Sequence, residues 1–383
     1  MKMKKRLAVL LALFMVFSLA ACGSKTPPAS GDNQSESQGE SQPAETKGGI
    51  VYFCKNLGDK GFNDNGWAGT QESAKKYGME STCIELGNDT STYDSAFADA
   101  CESGKYSIVV TQSNFGLADL CLKYGPDYPD MKFIAFDAGM TADFSSAPNV
   151  YGAAFGQNEG SWLAGVIAGS LTQSNKVGVF LFQDVPVGND FLVGYLEGVR
   201  YANPECELTW AYGNGAADNA KVKEVCGLMY DSGCDVVYVV EGGACIAVAE
   251  DVTLNRGGHE ANKWVIGCDS DQYAMAKENP GKEAYADVFI TSMLKDVRVA
   301  VTYSVDRAMD GTLPYGTVEL LGLAVNGVGC VDSDYFRTVA PQKVQDAYDN
   351  ALKAVSDGTV KVSTYFQYAN YEEFSAYRDS FKK

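Results

Sequence analysis

The run Gly58-Asp59-Lys60-Gly61-Phe62-Asn63-Asp64-Asn65-Gly66-Trp67 sets an aromatic ring among glycines, carboxylates and amides just after a short apolar stretch. A phenylalanine in such a loop either offers a flat apolar face to a ligand ring or anchors the loop to the core, and the residues around Phe62 suit both readings. Asn63 and Asp64 equally suit the cap of a following helix. Polar residues also gather where later apolar runs end: Thr111-Gln112-Ser113-Asn114, Asp137, Gln183-Asp184, Glu241-Gly242-Gly243 and Asp269-Ser270-Asp271. Any one of these is what an ordinary strand-to-helix loop carries. Together they point to a binding edge, because ligands of open parallel sheets sit outside the carboxyl ends of the strands.

Catalytic and metal chemistry has little to work with. His259, the single histidine, lies in the polar loop Arg256-Gly257-Gly258-His259-Glu260, so a serine or cysteine triad lacks its base. Asp269 and Asp271 are spaced for acid–base work, yet neither an electrophile nor a metal cluster accompanies them. Gly213-Asn214-Gly215-Ala216-Ala217-Asp218 follows a strand-like run, but Asp218 stands where a dinucleotide loop needs its third glycine. No Walker loop occurs. Besides Cys22, cysteines stand at 54, 83, 101, 121, 206, 226, 234, 245, 268 and 330, with no C-x-x-C pair. Most fall inside apolar runs and read as small buried hydrophobes rather than as a disulfide framework. Zinc is disfavoured by the lone histidine and the scattered thiols, and no cofactor is expected.

The elements that must hold these residues alternate. Apolar, β-rich runs at 50–53, 107–110, 132–136, 177–182, 235–240, 264–268 and 288–291 predict strands. Amphipathic stretches at 67–77, 95–103, 159–172, 191–202 and 219–232 predict helices. The strand runs are apolar almost throughout, as parallel strands covered on both faces are. The alternation therefore predicts an α/β protein with parallel sheets flanked by helices. The roughly 335 residues from Gly49 onward exceed one typical core, so two lobes with a cleft between them are expected.

A leader precedes this body. Lys2, Lys4, Lys5 and Arg6 come before an apolar stretch too short to span a bilayer, which ends at Leu19-Ala20-Ala21-Cys22. Leu-Ala-Ala-Cys resembles the lipobox of bacterial lipoproteins, in which the cysteine is diacylated and becomes the first mature residue. Residues 1–21 are then a signal peptide, Cys22 the lipidation site and 22–48 a linker of Ser, Pro, Gln, Glu, Gly and Thr too polar to order itself. Two acyl chains suffice for anchoring, since each buried methylene adds about 0.8 kcal/mol. The protein is expected at the extracytoplasmic face of the cell membrane. A formal net charge of −18 argues against nucleic acid and phosphate-rich ligands as partners.

The 58–67 loop resembles the Gly-Asp-Lys-Ser-Phe-Asn-Asp loop of the basic membrane protein family of substrate-binding lipoproteins, the PnrA-like purine nucleoside receptor group of ABC transporters. The resemblance continues through Asn149-Val150-Tyr151-Gly152-Ala153-Ala154-Phe155-Gly156-Gln157-Asn158-Glu159-Gly160-Ser161-Trp162-Leu163-Ala164-Gly165. It returns at 267–272, at Thr291-Ser292-Met293-Leu294-Lys295 and from Leu321-Gly322-Leu323 to Asn326-Gly327-Val328-Gly329, so the blocks span nearly the whole body in family order.

The resemblance implies a type I periplasmic-binding-protein fold, two αβα lobes with parallel sheets joined by a three-crossing hinge. The first lobe would hold 49–157 plus about 291–330, and the second 158–290 plus about 331–383. It implies a non-enzymatic, monomeric receptor that binds purine nucleosides of the guanosine, inosine or adenosine type between the lobes and serves an ABC permease and ATPase. A sugar receptor of the same fold and a non-transport sensor lipoprotein are the alternatives. Phe62 would stack on one face of the purine and Phe191, in Gly188-Asn189-Asp190-Phe191-Leu192, on the other. Asn63, Asp64 and Asp137 would be polar contacts from the first lobe. Gly242, Asp269 and Lys295 would come from the far side or the hinge, with Asp269 and Lys295 facing ribose hydroxyls. Two stretches depart from the family pattern: Gln183-Asp184-Val185-Pro186, where glycines and a methionine are usual, and Cys54-Lys55-Asn56-Leu57, where an aspartate is common. Both fall near the expected cleft and leave the base preference open.

Overall fold

The computed structural model describes residues 48–382 except Ala216 and Ala217; the expected signal peptide, Cys22 and the linker up to residue 47 lie outside the described residues. The first strands are β1 (Gly49–Cys54), β2 (Ser81–Glu85), β3 (Tyr106–Gln112), β4 (Lys132–Phe136) and β5 (Val150–Phe155). Next come β6 (Lys176–Leu181), β7 (Glu207–Tyr212), β8 (Val236–Val240), β9 (Trp264–Asp269) and β10 (Phe289–Lys295), then the short β11 (Val318–Leu321) and β12 (Val328–Cys330). Helices fill the connections: α1 (Phe62–Tyr77), α2 (Tyr93–Glu102), α3 (Leu117–Tyr124), α4 (Gln157–Leu171), α5 (Pro186–Ala202) and α6 (Asn219–Asp231). They continue as α7 (Cys245–Asn255), α8 (Gln272–Lys277), α9 (Val297–Asp310), α10 (Asp334–Val339), α11 (Gln342–Ser356) and α12 (Tyr371–Asp379).

Two six-stranded sheets result, in the orders β11-β5-β4-β3-β1-β2 and β12-β10-β9-β8-β6-β7. Every pairing is parallel except that of β12 with β10. β1 shows why its sequence is apolar without alternation: Ile50, Tyr52 and Cys54 join one core cluster, while Val51 and Phe53 pack with Phe97 and Phe133 on the opposite face. No disulfide joins cysteines among the described residues, and nine of the ten are buried.

The chain crosses between sheets three times, after β5, after β10 and between β11 and β12. The crossings brace one another. Gly156 N donates to Leu321 O at 3.0 Å, Asp296 N to Gly327 O at 2.9 Å, and Leu323 N to the Glu159 carboxylate at 2.7 Å. This is the type I periplasmic-binding architecture, with two αβα lobes on a three-crossing hinge. One expected boundary is corrected. The segment about 291–330 does not stay with the first sheet: Thr291–Lys295 continues β10, which pairs in parallel with β9, and β12 returns to the second sheet. The reason is that Phe289-Ile290-Thr291-Ser292-Met293 forms one uninterrupted buried strand, and the chain turns away only at Asp296, which caps α9 through Val299 N. Between these strands α9 does pack on the first lobe, through the Lys76–Asp306 and Arg298–Glu72 ion pairs.

The second lobe depends on a close helix pair. α4 is buried almost all round, and α5 crosses it where Gly198 leaves so little room that a Cβ would sit 2.0 Å from Trp162 O. Backbone, not a flexible side chain, blocks that space. Gly198→Ala is therefore expected to lower unfolding free energy by about 2–3 kcal/mol in urea titration. A loss under half that size would show that the two helices can part cheaply.

Candidate ligand-binding cleft

A cleft of about 750 Å³ opens where the carboxyl ends of both sheets meet. Asn114, Phe115 and Asp137 line it from the first lobe; Phe182, Phe191, Glu241, Gly242, Asp269 and Lys295 line it from the second. Phe155 and Gln157 enter from the first crossing, and Phe366 from the C-terminal segment. A side pocket of about 340 Å³ extends the space to Lys55, Phe62, Asn63 and Gln112 and shares Asn114, Phe115, Asp137, Asp269 and Lys295 with the main one. Most of these positions follow directly on strand ends, as the topology requires.

The floor is charged. Lys295 Nζ lies 2.9 Å from Asp137 Oδ1, joining the end of β10 in one sheet to the end of β4 in the other. Asn114 Nδ2 donates to the second Asp137 oxygen at 3.3 Å. Lys295 is 8 % exposed and its ammonium also sits 5.3 Å from the Phe191 ring centre and 5.6 Å from that of Phe155. Burial works against its charge, but the carboxylates of Asp137 and Asp269 outweigh this and hold its pKa above the ordinary lysine value. For Asp269 burial dominates and raises the pKa, with Lys295 opposing and Asp137 reinforcing the shift. Glu241 is raised by burial and then by the charge of Asp269. Asp137 and Asp269 both sit in left-handed backbone, at φ 57° and 66°, a conformation strained for a residue with a side chain. Gly242 passes close over this floor, since a Cβ there would lie 3.1 Å from Asp269 Oδ2.

The signature loop divides its labour in a way the sequence did not reveal. Asp59, not Asn63 or Asp64, caps α1: its carboxylate accepts from Gly61 N, Asn63 N and Asp64 N at 2.9, 2.8 and 3.1 Å. Asn63 faces the side pocket, with its amide oxygen 3.4 Å from Gln112 Nε2. Phe62 lines the same pocket while leaning on Phe136 at 5.5 Å, so it is at once a ring facing the cleft and a loop anchor. Asp64 is a correction. It lines neither pocket, because Gly58 N and Lys60 N each donate to its carboxylate at 2.8 Å and it closes its own loop. Asp271, similarly, caps α8 through Ala274 N, and Asp218 caps α6.

Phe191 forms the deep wall and is 2 % exposed. Its neighbour Asp190 is a buried clasp that accepts from Gln157 Nε2 at 2.6 Å, Thr364 Oγ1 at 2.6 Å and Tyr365 N at 2.8 Å. That clasp ties the first crossing to the C-terminal segment that delivers Phe366. Phe115, Phe155, Phe182 and Phe366 were not singled out as site residues by sequence reasoning, and Glu241 was named only within its polar strand-end cluster. Phe182 and Glu241 carried a usable signal, standing at or just beyond predicted strand ends. Phe366 carried none, because only the tertiary fold returns residue 366 to the cleft.

A family model described as ABC transporter substrate-binding protein PnrA-like matches residues 49–362. The chain belongs to this Bmp family. It is thus a substrate-binding protein of the ABC transporter class and not an enzyme. It is 29% identical to the ABC transporter nucleoside-binding protein BmpA of Lactococcus lactis, over 94% of this chain and 99% of that protein. It is 30% identical, with the same coverage, to the CD4+ T-cell-stimulating antigen of Listeria innocua. Among solved structures, a solute-binding protein from Aeropyrum pernix superposes with TM-score 0.66 at 23% identity, covering 88% of this chain and 97% of its own. One from Conexibacter woesei gives 0.66 at 18%, covering 83% and 99%. Both share the fold of the Bmp chain. No helix among its described residues is long and apolar enough to cross a membrane.

The raised pKa of Glu241 has a measurable consequence. Folding disfavours its ionised form, so its contribution to stability is best at acid pH and declines as pH rises through the folded value. Glu241→Gln is expected to raise Tm by about 2 °C at pH 7 and to flatten the pH dependence on the acid side. Equal melting of both proteins across pH 5 to 7 would contradict the burial effect.

Proposed function

We propose that this substrate-binding protein captures purine nucleosides for its ABC transporter and is held at the outer membrane face by lipid on Cys22. The observation that carries the reading is the Asp137–Lys295–Asp269 floor beneath phenylalanine walls. Carboxylates accept from sugar hydroxyls, the ammonium donates to them, and aromatic rings supply flat faces for a base. Phe62 and Asn63 would hold the base at the side pocket, Phe191 would back the site, and Asp269, Lys295 and the Gly242 backbone would read the ribose.

The ligand is a nucleoside rather than a nucleotide on electrostatic grounds. A helix N-terminus is a ready site for phosphate, but the first amides of α1 already serve Asp59, and the loop amides of Gly58 and Lys60 serve Asp64. The carboxylates of the floor outnumber its lysine. The related Lactococcus protein, named as nucleoside-binding, agrees with this choice. Closure of the lobes about the hinge would follow from the ligand's higher affinity for the closed state.

Calorimetry with ligand-stripped protein tests the reading, using guanosine, inosine, adenosine, guanosine monophosphate and ribose. A purine nucleoside should bind most tightly, with the monophosphate and ribose each weaker by about tenfold or more. Phe62→Ala should weaken nucleoside binding about tenfold and Lys295→Gln by more, because the latter leaves two carboxylates facing each other. Tight ribose binding without nucleoside preference would make this a sugar receptor. For the anchor, Cys22→Ala should move the protein from the membrane fraction to the soluble one, and retention in the membrane would contradict lipid attachment.

A further inference from the structure

Resting on the nucleoside reading, we propose that Phe115 is a further ligand-contacting ring, closing over the sugar side of the bound nucleoside above the Asp137–Lys295–Asp269 floor. Phe115 lines both the main cleft and its side pocket, and the residues it shares between them are that floor and Asn114. It is 53 % exposed, whereas Phe191 is 2 % exposed, and Phe62 is half-buried with one side leaning on Phe136. Its neighbour Asn114 donates to Asp137, which fixes the loop to the floor.

Two features make the residue costly in the empty cleft. The ring shows apolar surface to water, and its backbone is left-handed at φ 60°, immediately before Gly116 at 78°. A side chain there is strained, and glycine would relieve the strain. Strain of this kind marks positions where function sets the residue. Inside the protein the ring receives a cation–π contact from Lys55, whose Nζ lies 5.0 Å from its centre and which also lines the side pocket. Lys55 thus occupies one face of the ring, and the other face would lie against the ribose.

Three variants read by calorimetry with guanosine and by thermal melting test the assignment. Phe115→Ala and Phe115→Gly should each weaken guanosine about fivefold or more, while Phe115→Tyr keeps affinity within about twofold. The glycine variant should melt about 2 °C above the alanine variant, since it alone releases the left-handed backbone. Affinity unchanged in both truncations while the wild type binds guanosine overturns the ring's role and leaves the nucleoside reading standing. A wild type that binds no nucleoside overturns both. Glycine melting at or below alanine overturns the strain.

Discussion

The ion pair between Lys295 and Asp137 is the constraint on which the rest of the cleft depends. It is nearly buried, and it joins the two lobes across the gap where a ligand must enter. Removing either partner would leave an uncompensated charge in a poorly solvated place, which is among the costlier defects a protein can carry. Every surrounding feature answers that problem. Asn114 satisfies the free oxygen of Asp137, the rings of Phe155 and Phe191 face the ammonium, and Asp269 adds a second carboxylate whose ionisation is itself opposed by burial. The cleft cannot be closed by apolar packing alone. On the nucleoside reading, ribose hydroxyls would meet this floor and the base would meet the aromatic walls.

The two lobes supply this floor in matching ways. β4 and β9 are each the third strand from the corresponding edge of their sheets; Asp137 directly follows β4 and Asp269 ends β9, both in left-handed backbone. Both aspartates line the gap. Lys295 has no such counterpart. It ends β10, one residue before Asp296 begins the second crossing, so the cation sits on the hinge itself. A change in lobe angle therefore alters the geometry between Lys295 and Asp137 directly, with no intermediate element to transmit it.

Much of the fold was legible because buried parallel strands read as apolar runs: β4, β6, β8 and β9 fall on the predicted runs nearly residue for residue, whereas the equally buried β5, Val150-Tyr151-Gly152-Ala153-Ala154-Phe155, is diluted by glycine and alanine and was not predicted. β2 did not, since it is an edge strand of half-exposed Ser81-Thr82-Cys83-Ile84-Glu85 with little apolar continuity. The assignment of 291–330 to the first lobe failed at both ends because the expected boundary cut through the seven-residue β10 and because β12 is too short to show a period. Within the site, strand-end polar residues could be read because topology fixes where they must lie. The roles of Asp59 and Asp64 could not. Both are carboxylates in one glycine loop, and only the backbone path decides that one caps the helix, the other closes the turn, and Asn63 faces the cleft. Phe366 was hidden for a different reason, being placed by hydrogen bonds from Thr364 and Tyr365 to Asp190, far away in sequence.

The two aspartates are not equivalent toward a ligand. Asp137 spends one oxygen on Lys295 and the other on Asn114, whereas Asp269, though it feels the Lys295 charge, accepts a side-chain hydrogen bond among the described residues from the weak thiol of Cys268, at 3.4 Å. Asp269 thus keeps the greater acceptor capacity, and burial makes it the floor carboxylate most in need of a donor. A sugar hydroxyl donating to it would favour the ionised form and lower its pKa. On the nucleoside reading, the same carboxylate would favour a neutral, hydroxyl-bearing ligand over an anionic one.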